Sequence, residues 1–240
     1  MTTPLIAFSI TLLTGLATCI GGLFVFFPNN KNVIFLSVSL ALSGIIMIYI
    51  SLFEILPNAV EQLQINHIFS PRPTTISAFI VGIICIAFID TVLSYIQQKY
   101  QPQSNLQHMG LITFLILTIH NLPEGFITFI SFLENPTLGI PIALTIALHN
   151  IPEGIAIAVP VYILSNSKTK AFGLTLCSGL AEPLGAVIGY FILKSYISSD
   201  ILGIAFGIIA GIMCFIAIHD LIPTAHKLKQ KNNSIHIKQS

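Results

Sequence analysis

Residues 117–154 read LTIHNLPEGFITFISFLENPTLGIPIALTIALHNIPEG. The hexapeptide HNLPEG at residues 120–125 returns as HNIPEG at residues 149–154. Each copy lies inside an apolar run, residues 110–133 and 138–164, and a membrane-crossing helix needs about 20 mostly apolar residues. Glu134-Asn135-Pro136 is the only turn chemistry between the two runs, so they predict antiparallel neighbouring helices. The fold class that follows is all-α: a polytopic transmembrane helical bundle.

Working outward, residues 4–27, 33–56, 74–96, 171–193 and 201–222 are similar apolar stretches, which brings the expected spans to seven. Pro28-Asn29-Asn30 and Ser70-Pro71-Arg72-Pro73 separate some of them. Hydrophobic residues make up 54% of the 240-residue chain and charged residues only 8%, against about 25% charged in soluble proteins. A net charge of +1 with no clustered basic face excludes a nucleic-acid partner. The N-terminus lacks a basic n-region, so its apolar run is read as the first span and not as a cleaved signal. Cys19, Cys85, Cys177 and Cys214 stand singly in apolar stretches and are expected to be buried hydrophobes.

Basic residues set the orientation, because cytoplasmic flanks retain Lys and Arg. With the N-terminus outside, Lys31, Lys99, Lys168, Lys170, Lys227, Lys229, Lys231 and Lys238 fall inside, against Arg72 and Lys194 outside. The chain is therefore expected to be a multi-pass protein of the cell (inner or plasma) membrane with a cytoplasmic C-terminus. Residues 1–225 form the transmembrane domain and residues 226–240 a polar, Lys-rich cytoplasmic tail. FEILP at residues 53–57 and HDLIP at residues 219–223 echo each other near the ends of the second and seventh spans. Together with the doubled hexapeptide they suggest an inverted repeat, whose sites lie near the midplane.

Glu124, Glu153 and Glu182 sit near the middle of the fourth, fifth and sixth spans. A carboxylate there costs about 2.5 to 3.5 kcal/mol on insertion scales. With no intramembrane Lys or Arg to pair them, they call for a cation. In each hexapeptide His and Glu are four apart and Asn and Glu three apart, so all three project from one helical face. Imidazole nitrogen with carboxylate and amide oxygen is a borderline donor mixture suited to zinc, and also to iron, manganese or cobalt.

Pro123 and Pro152 cannot donate to the carbonyls of Ile119 and Leu148, which predicts kinks that free those oxygens. Gly125 and Gly154 allow close backbone approach, and Pro183 loosens the helix beside Glu182. The bland reading is that lone intramembrane His or Asn residues hydrogen-bond neighbouring helices. Two copies on antiparallel neighbours, with Glu182 nearby, favour a metal site instead. Glu54, His219 and Asp220 near helix ends suit either an entry or exit relay or interfacial placement. Asp90 reads as a packing hydrogen bond; Ser43, Thr118 and Ser178, with Gly44, Gly82, Gly185 and Gly211, read as packing positions.

HNLPEG, HNIPEG and GLAEP together resemble the ZIP (Zrt/Irt-like) metal transporters, from the first span through HDLIP. The resemblance implies uptake of zinc, and of other divalent cations, toward the cytoplasm through adjacent metal positions bridged by shared carboxylates. Carried over by motif, Glu124 and Glu153 are the bridging ligands, and His149 completes one position with His120 as an addition. Asn121, Asn150 and Glu182 complete the second. The family has eight helices and an outward C-terminus, whereas seven spans are expected here. The loop at residues 97–109 offers only His108 where some relatives carry a histidine cluster.

The implied function is secondary-type transport of divalent transition-metal cations, with no prosthetic group and no enzymatic step. Partners are the metal ions and the bilayer, and a homodimer is the assembly considered. An intramembrane metal-dependent hydrolase is the rival from another class, but HExxH spacing on an unbroken helix is missing. A seven-helix retinal protein lacks its mid-helix lysine.

Overall fold

The computed structural model describes residues 4–27, 33–66, 70–100, 105–193 and 198–239. Among these every regular element is helical, as backbone surrounded by hydrocarbon requires, since each N–H and C=O must find its partner within its own segment. In chain order the helices are α1 (Pro4–Gly22), α2 (Val33–Tyr49), α3 (Leu56–Asn66), α4 (Pro71–Tyr100), α5 (Asn105–Glu134), α6 (Pro136–Ser165), α7 (Lys168–Gly179), α8 (Ala181–Leu193), α9 (Ser199–Ile216) and α10 (Ile222–Gln239).

Six helical runs among the described residues are long and apolar enough to cross a membrane: Pro4–Phe26, Val33–Ile65, Pro71–Val92, Gly139–Ile163, Lys168–Phe191 and Ser199–Gln230. The 30-residue α5 is the seventh. The expected spans are therefore all present, and several run longer than their apolar cores. The α4 helix begins three residues before residue 74, and α10 carries the seventh span on into the Lys-rich stretch. Lys, Gln, Leu and Ala are good helix formers, so a loss of hydropathy does not end the helix there. Lys31 and Lys194, which entered the orientation reading, lie outside the described residues.

α1, α5, α6, α7 and α8 pack on one another, and α2, α3, α4, α9 and α10 form a second group. The main seam between the groups is α6 against α2. α6 is correspondingly enclosed, with 67% of its spanning window buried against 22% for α4. On α4, Ile76, Ile80, Ile84 and Phe88 recur every four residues as an exposed apolar stripe, a face suited to lipid. Cys85 and Cys177 are also exposed, so only Cys19 and Cys214 meet the expectation of burial. A thiol is apolar enough to face acyl chains as readily as a protein core.

The hinge between α5 and α6 is the single residue Asn135, whose side chain accepts from Thr137 N at 3.0 Å and caps α6 ahead of Pro136. At the other end Asn166 adopts φ 51 and ends the helix in the left-handed conformation. Pro123 and Pro152 lie inside α-helices that continue past them, whereas α7 gives way to α8 at Leu180, just before Glu182 and Pro183. A proline deletes one donor, and the flanking ladder bonds keep the helix running.

Further interruptions occur elsewhere. Ile50–Ile55 and Ala217–Leu221 are π-helical turns, where the N–H of Leu56 reaches Ser51 O and that of Ile222 reaches Ala217 O. Each turn falls just before a proline, Pro57 or Pro223. The extra residue per turn accommodates the missing donor before the helix resumes as α3 or α10. FEILP and HDLIP therefore correspond in backbone as well as in sequence.

Candidate metal centre

The two hexapeptides meet across the α5–α6 contact. His120, Asn121, Glu124, His149, Asn150, Glu153 and Glu182 are all fully buried. Four of them converge: one ligand atom each from His120, Glu124, His149 and Glu153 lies within 4.8 Å of the other three. Both imidazole Nε2 atoms lie close to a single oxygen, Glu124 Oε1, at 2.9 Å for His120 and 3.0 Å for His149, and of the two only the His149 contact has hydrogen-bond geometry.

His149 is further oriented by its own helix. Its Nδ1 lies 3.3 Å from the Thr145 carbonyl one turn earlier; as donor there, it leaves the Nε2 lone pair facing the cluster. Among the described residues His120 has no such partner at Nδ1. Glu124 Oε2 and both carboxylate oxygens of Glu153 are buried without a hydrogen-bond partner among the described residues. Unpaired carboxylate oxygens in a dry interior are costly, and two nitrogens with carboxylate oxygens are a donor set that a borderline dication satisfies. The residues therefore fit a metal ion as cargo.

The other three expected ligands are arranged differently. Asn121 donates from Nδ2 to Ser178 O at 3.1 Å and to Ser178 Oγ at 3.2 Å, which ties α5 to α7. Asn150 donates from Nδ2 to Thr14 O at 3.0 Å and to Glu182 Oε1. The Thr14 hydroxyl lies 2.6 Å from Glu182 Oε2. Glu182 is thus held by α1 and α6, with both its oxygens engaged, outside the four-residue cluster. The amide oxygens of Asn121 and Asn150 have no hydrogen-bond partner among the described residues.

Thr14 was not visible as part of the site in the sequence, where it is one hydroxyl in an apolar run. Ser178, expected at a packing position, is also the partner of the Asn121 amide. Asp90, expected in helix packing, has its Oδ2 4.0 Å from His219 Nδ1, which is 3.1 Å from Asp220 Oδ1. That contact joins α4 to the second π turn, with the imidazole stacked on Phe215 at 4.7 Å. Glu54 lies in the first π turn, and its carbonyl accepts from Asn58 Nδ2 at 2.9 Å.

The glycine after each site glutamate sets how closely the helices approach. A Cβ on Gly125 would collide with the Glu182 backbone carbonyl, and one on Gly154 with the carbonyl of Thr18. Each hexapeptide thus brings its acid to the cluster and lets its backbone touch α8 or α1.

The family described as ZIP zinc transporter matches residues 96–240. The zinc transporter ZupT of Streptococcus mutans is 42% identical over 242 residues, covering 96% of this chain and 91% of that protein. The ZupT proteins of Chlorobium chlorochromatii and Corynebacterium aurimucosum are 40% and 41% identical, with the same coverages. The chain belongs to the ZIP family. Membership of a transporter family sets aside the hydrolase reading, and the ZIP helical bundle agrees with the helices described above.

Proposed function

We propose that this ZIP chain carries zinc across the membrane toward the cytoplasm, holding the ion at His120, Glu124, His149 and Glu153. The observation that carries the reading is the convergence of those four buried ligand atoms within 4.8 Å from two neighbouring helices. The names of the ZupT relatives support zinc as cargo. Iron, manganese and cobalt are further cargoes that the same donor types accept.

The ion sheds water in stages as carboxylate and imidazole replace it, and binding must remain weak enough for release. Arrival displaces any proton from the ligand atoms, since metal binds the deprotonated forms. The Thr145 carbonyl keeps His149 in the orientation that this exchange needs.

A second, adjacent ion belongs to the same proposal, bridged by Glu124 and Glu153 and completed by Asn121, Asn150 and Glu182. Shared carboxylates lower the repulsion between neighbouring dications. Glu182 already accepts from Thr14 and Asn150, so the four-residue set is assigned the first ion. Residues 1–225 form the carrier and residues 226–240 its cytoplasmic tail; the N-terminus is outside, and a homodimer is the proposed assembly.

The test is zinc uptake into liposomes holding the purified chain. Glu124→Ala and Glu153→Ala are each expected to abolish uptake while the protein stays folded in the membrane. Undiminished uptake in both variants would overturn the assignment. Competition by iron, manganese and cobalt in the same liposomes reads the cargo range.

A further inference from the structure

The α5 helix carries more oxygen past the metal site than packing explains. One turn beyond Glu124 lies Thr128, then Ser131, and at the exposed end of the helix Glu134. At 100° per residue these four side chains span an arc of about 120°, so they form one stripe. Thr128 is fully buried and Ser131 is 5% exposed, and neither hydroxyl has a hydrogen-bond partner among the described residues. Most helical hydroxyls in this protein are satisfied by the carbonyl four residues back: Thr118 on the same helix reaches Phe114 O at 2.6 Å, and Thr145, Thr175 and Ser51 do likewise. An unpaired buried hydroxyl costs about 1 to 3 kcal/mol.

The stripe begins at the unpartnered Glu124 Oε2 and ends where Glu134 Oε2 accepts from Gln62 of α3 at 3.2 Å. Ile127 falls within the same arc, between Ser131 and Glu134, and Phe126, Phe129, Ile130 and Phe132 flank it. Thr128 and Ser131 thus stand along the helix between the exposed carboxylate of Glu134 and the buried one of Glu124, where hydroxyl oxygens can replace a cation's water in turn.

We propose that Thr128 and Ser131 form an oxygen ladder along which the divalent cation passes between the Glu134 end of α5 and the four-residue site. The ladder rests on the zinc-carrier reading above but concerns passage and not the resting site. Thr128 and Ser131 contact the ion in transit and not at rest.

The test separates passage from binding by measuring zinc uptake into liposomes and equilibrium zinc binding to the same detergent-solubilised protein. Thr128→Val with Ser131→Ala is expected to lower the maximal uptake rate about tenfold, with the binding constant unchanged within about twofold. Thr128→Ser keeps the oxygen and is expected to restore most of the rate. Parental uptake in the double variant overturns the ladder, and so does a Thr128→Ser variant as slow as Thr128→Val. Loss of equilibrium binding in the double variant also overturns it, because the hydroxyls would then serve the resting site. If Glu124→Ala binds and carries zinc like the parent, the site assignment fails, whatever these variants do.

Discussion

His120 and His149 occupy the same position in the same hexapeptide, but their surroundings differ. His149 has its Nδ1 on the Thr145 carbonyl, whereas His120 Nδ1 has no partner among the described residues. A ligand whose second nitrogen is held is pre-oriented, and such support is commonly worth 10- to 100-fold in metal affinity. His149→Ala is therefore expected to weaken zinc binding about tenfold more than His120→Ala. Calorimetric titration of the solubilised variants checks the order, and equal losses would remove the role given to Thr145.

Much of this scale was legible beforehand. Invariant spacing within HNxPEG put His and Glu on one face, and the doubling said that two such faces meet. Hydrogen-bond direction was not legible. Whether Asn150 turns its amide toward Glu182 depends on where α1 brings Thr14, a contact across 136 residues of sequence.

At the scale of the element, the glycines of the two hexapeptides limit what the helices tolerate. Gly125→Ala and Gly154→Ala each place a methyl group against a backbone carbonyl, which no side-chain rotation can relieve. Overpacking of this kind typically costs about 1 to 3 kcal/mol. Both variants are expected to melt earlier in detergent, while alanine at Gly173, which faces open space, leaves the transition where it was. Helix existence was readable from apolar length, but the π turns were not. FEILP and HDLIP announced a correspondence between the second and seventh spans through Pro57 and Pro223. Which neighbouring turn would absorb the lost donor is decided by packing, and a proline alone does not specify it: Pro123 and Pro152 sit in regular helix.

At the scale of the molecule, contacts at the helix ends sort them onto two faces. The Lys168 ammonium lies 5.8 Å from the Phe26 ring and 6.0 Å from that of Tyr162, so the ends of α1 and α6 share a face with the start of α7. The Ser37 hydroxyl donates to Ala225 O at 2.7 Å, pairing the start of α2 with α10. Gln62 and Glu134 likewise pair the ends of α3 and α5. With the N-terminus outside, the Lys168 contacts fall on the inner face and the Gln62–Glu134 bond on the outer, in line with the basic residues. Reporter fusions are expected to place the N-terminus outside and the segment from Lys227 onward inside. An extracytoplasmic reporter at the C-terminal end would reverse the orientation. The partition into two helical groups was not legible in the sequence, because burial of α6 and exposure of α4 come from helices distant in the chain.

The proposed four-residue site bears on how a carrier would respond to voltage. With one dication bound, two carboxylates and two neutral imidazoles would sum to no net charge, so a loaded site that moved as a unit would cross the membrane field without electrical work. Each uncompensated charge would feel about 2.3 kcal/mol per 100 mV. On that one-ion reading, voltage dependence is expected on the empty return, from whatever Glu124 and Glu153 carry in place of the metal.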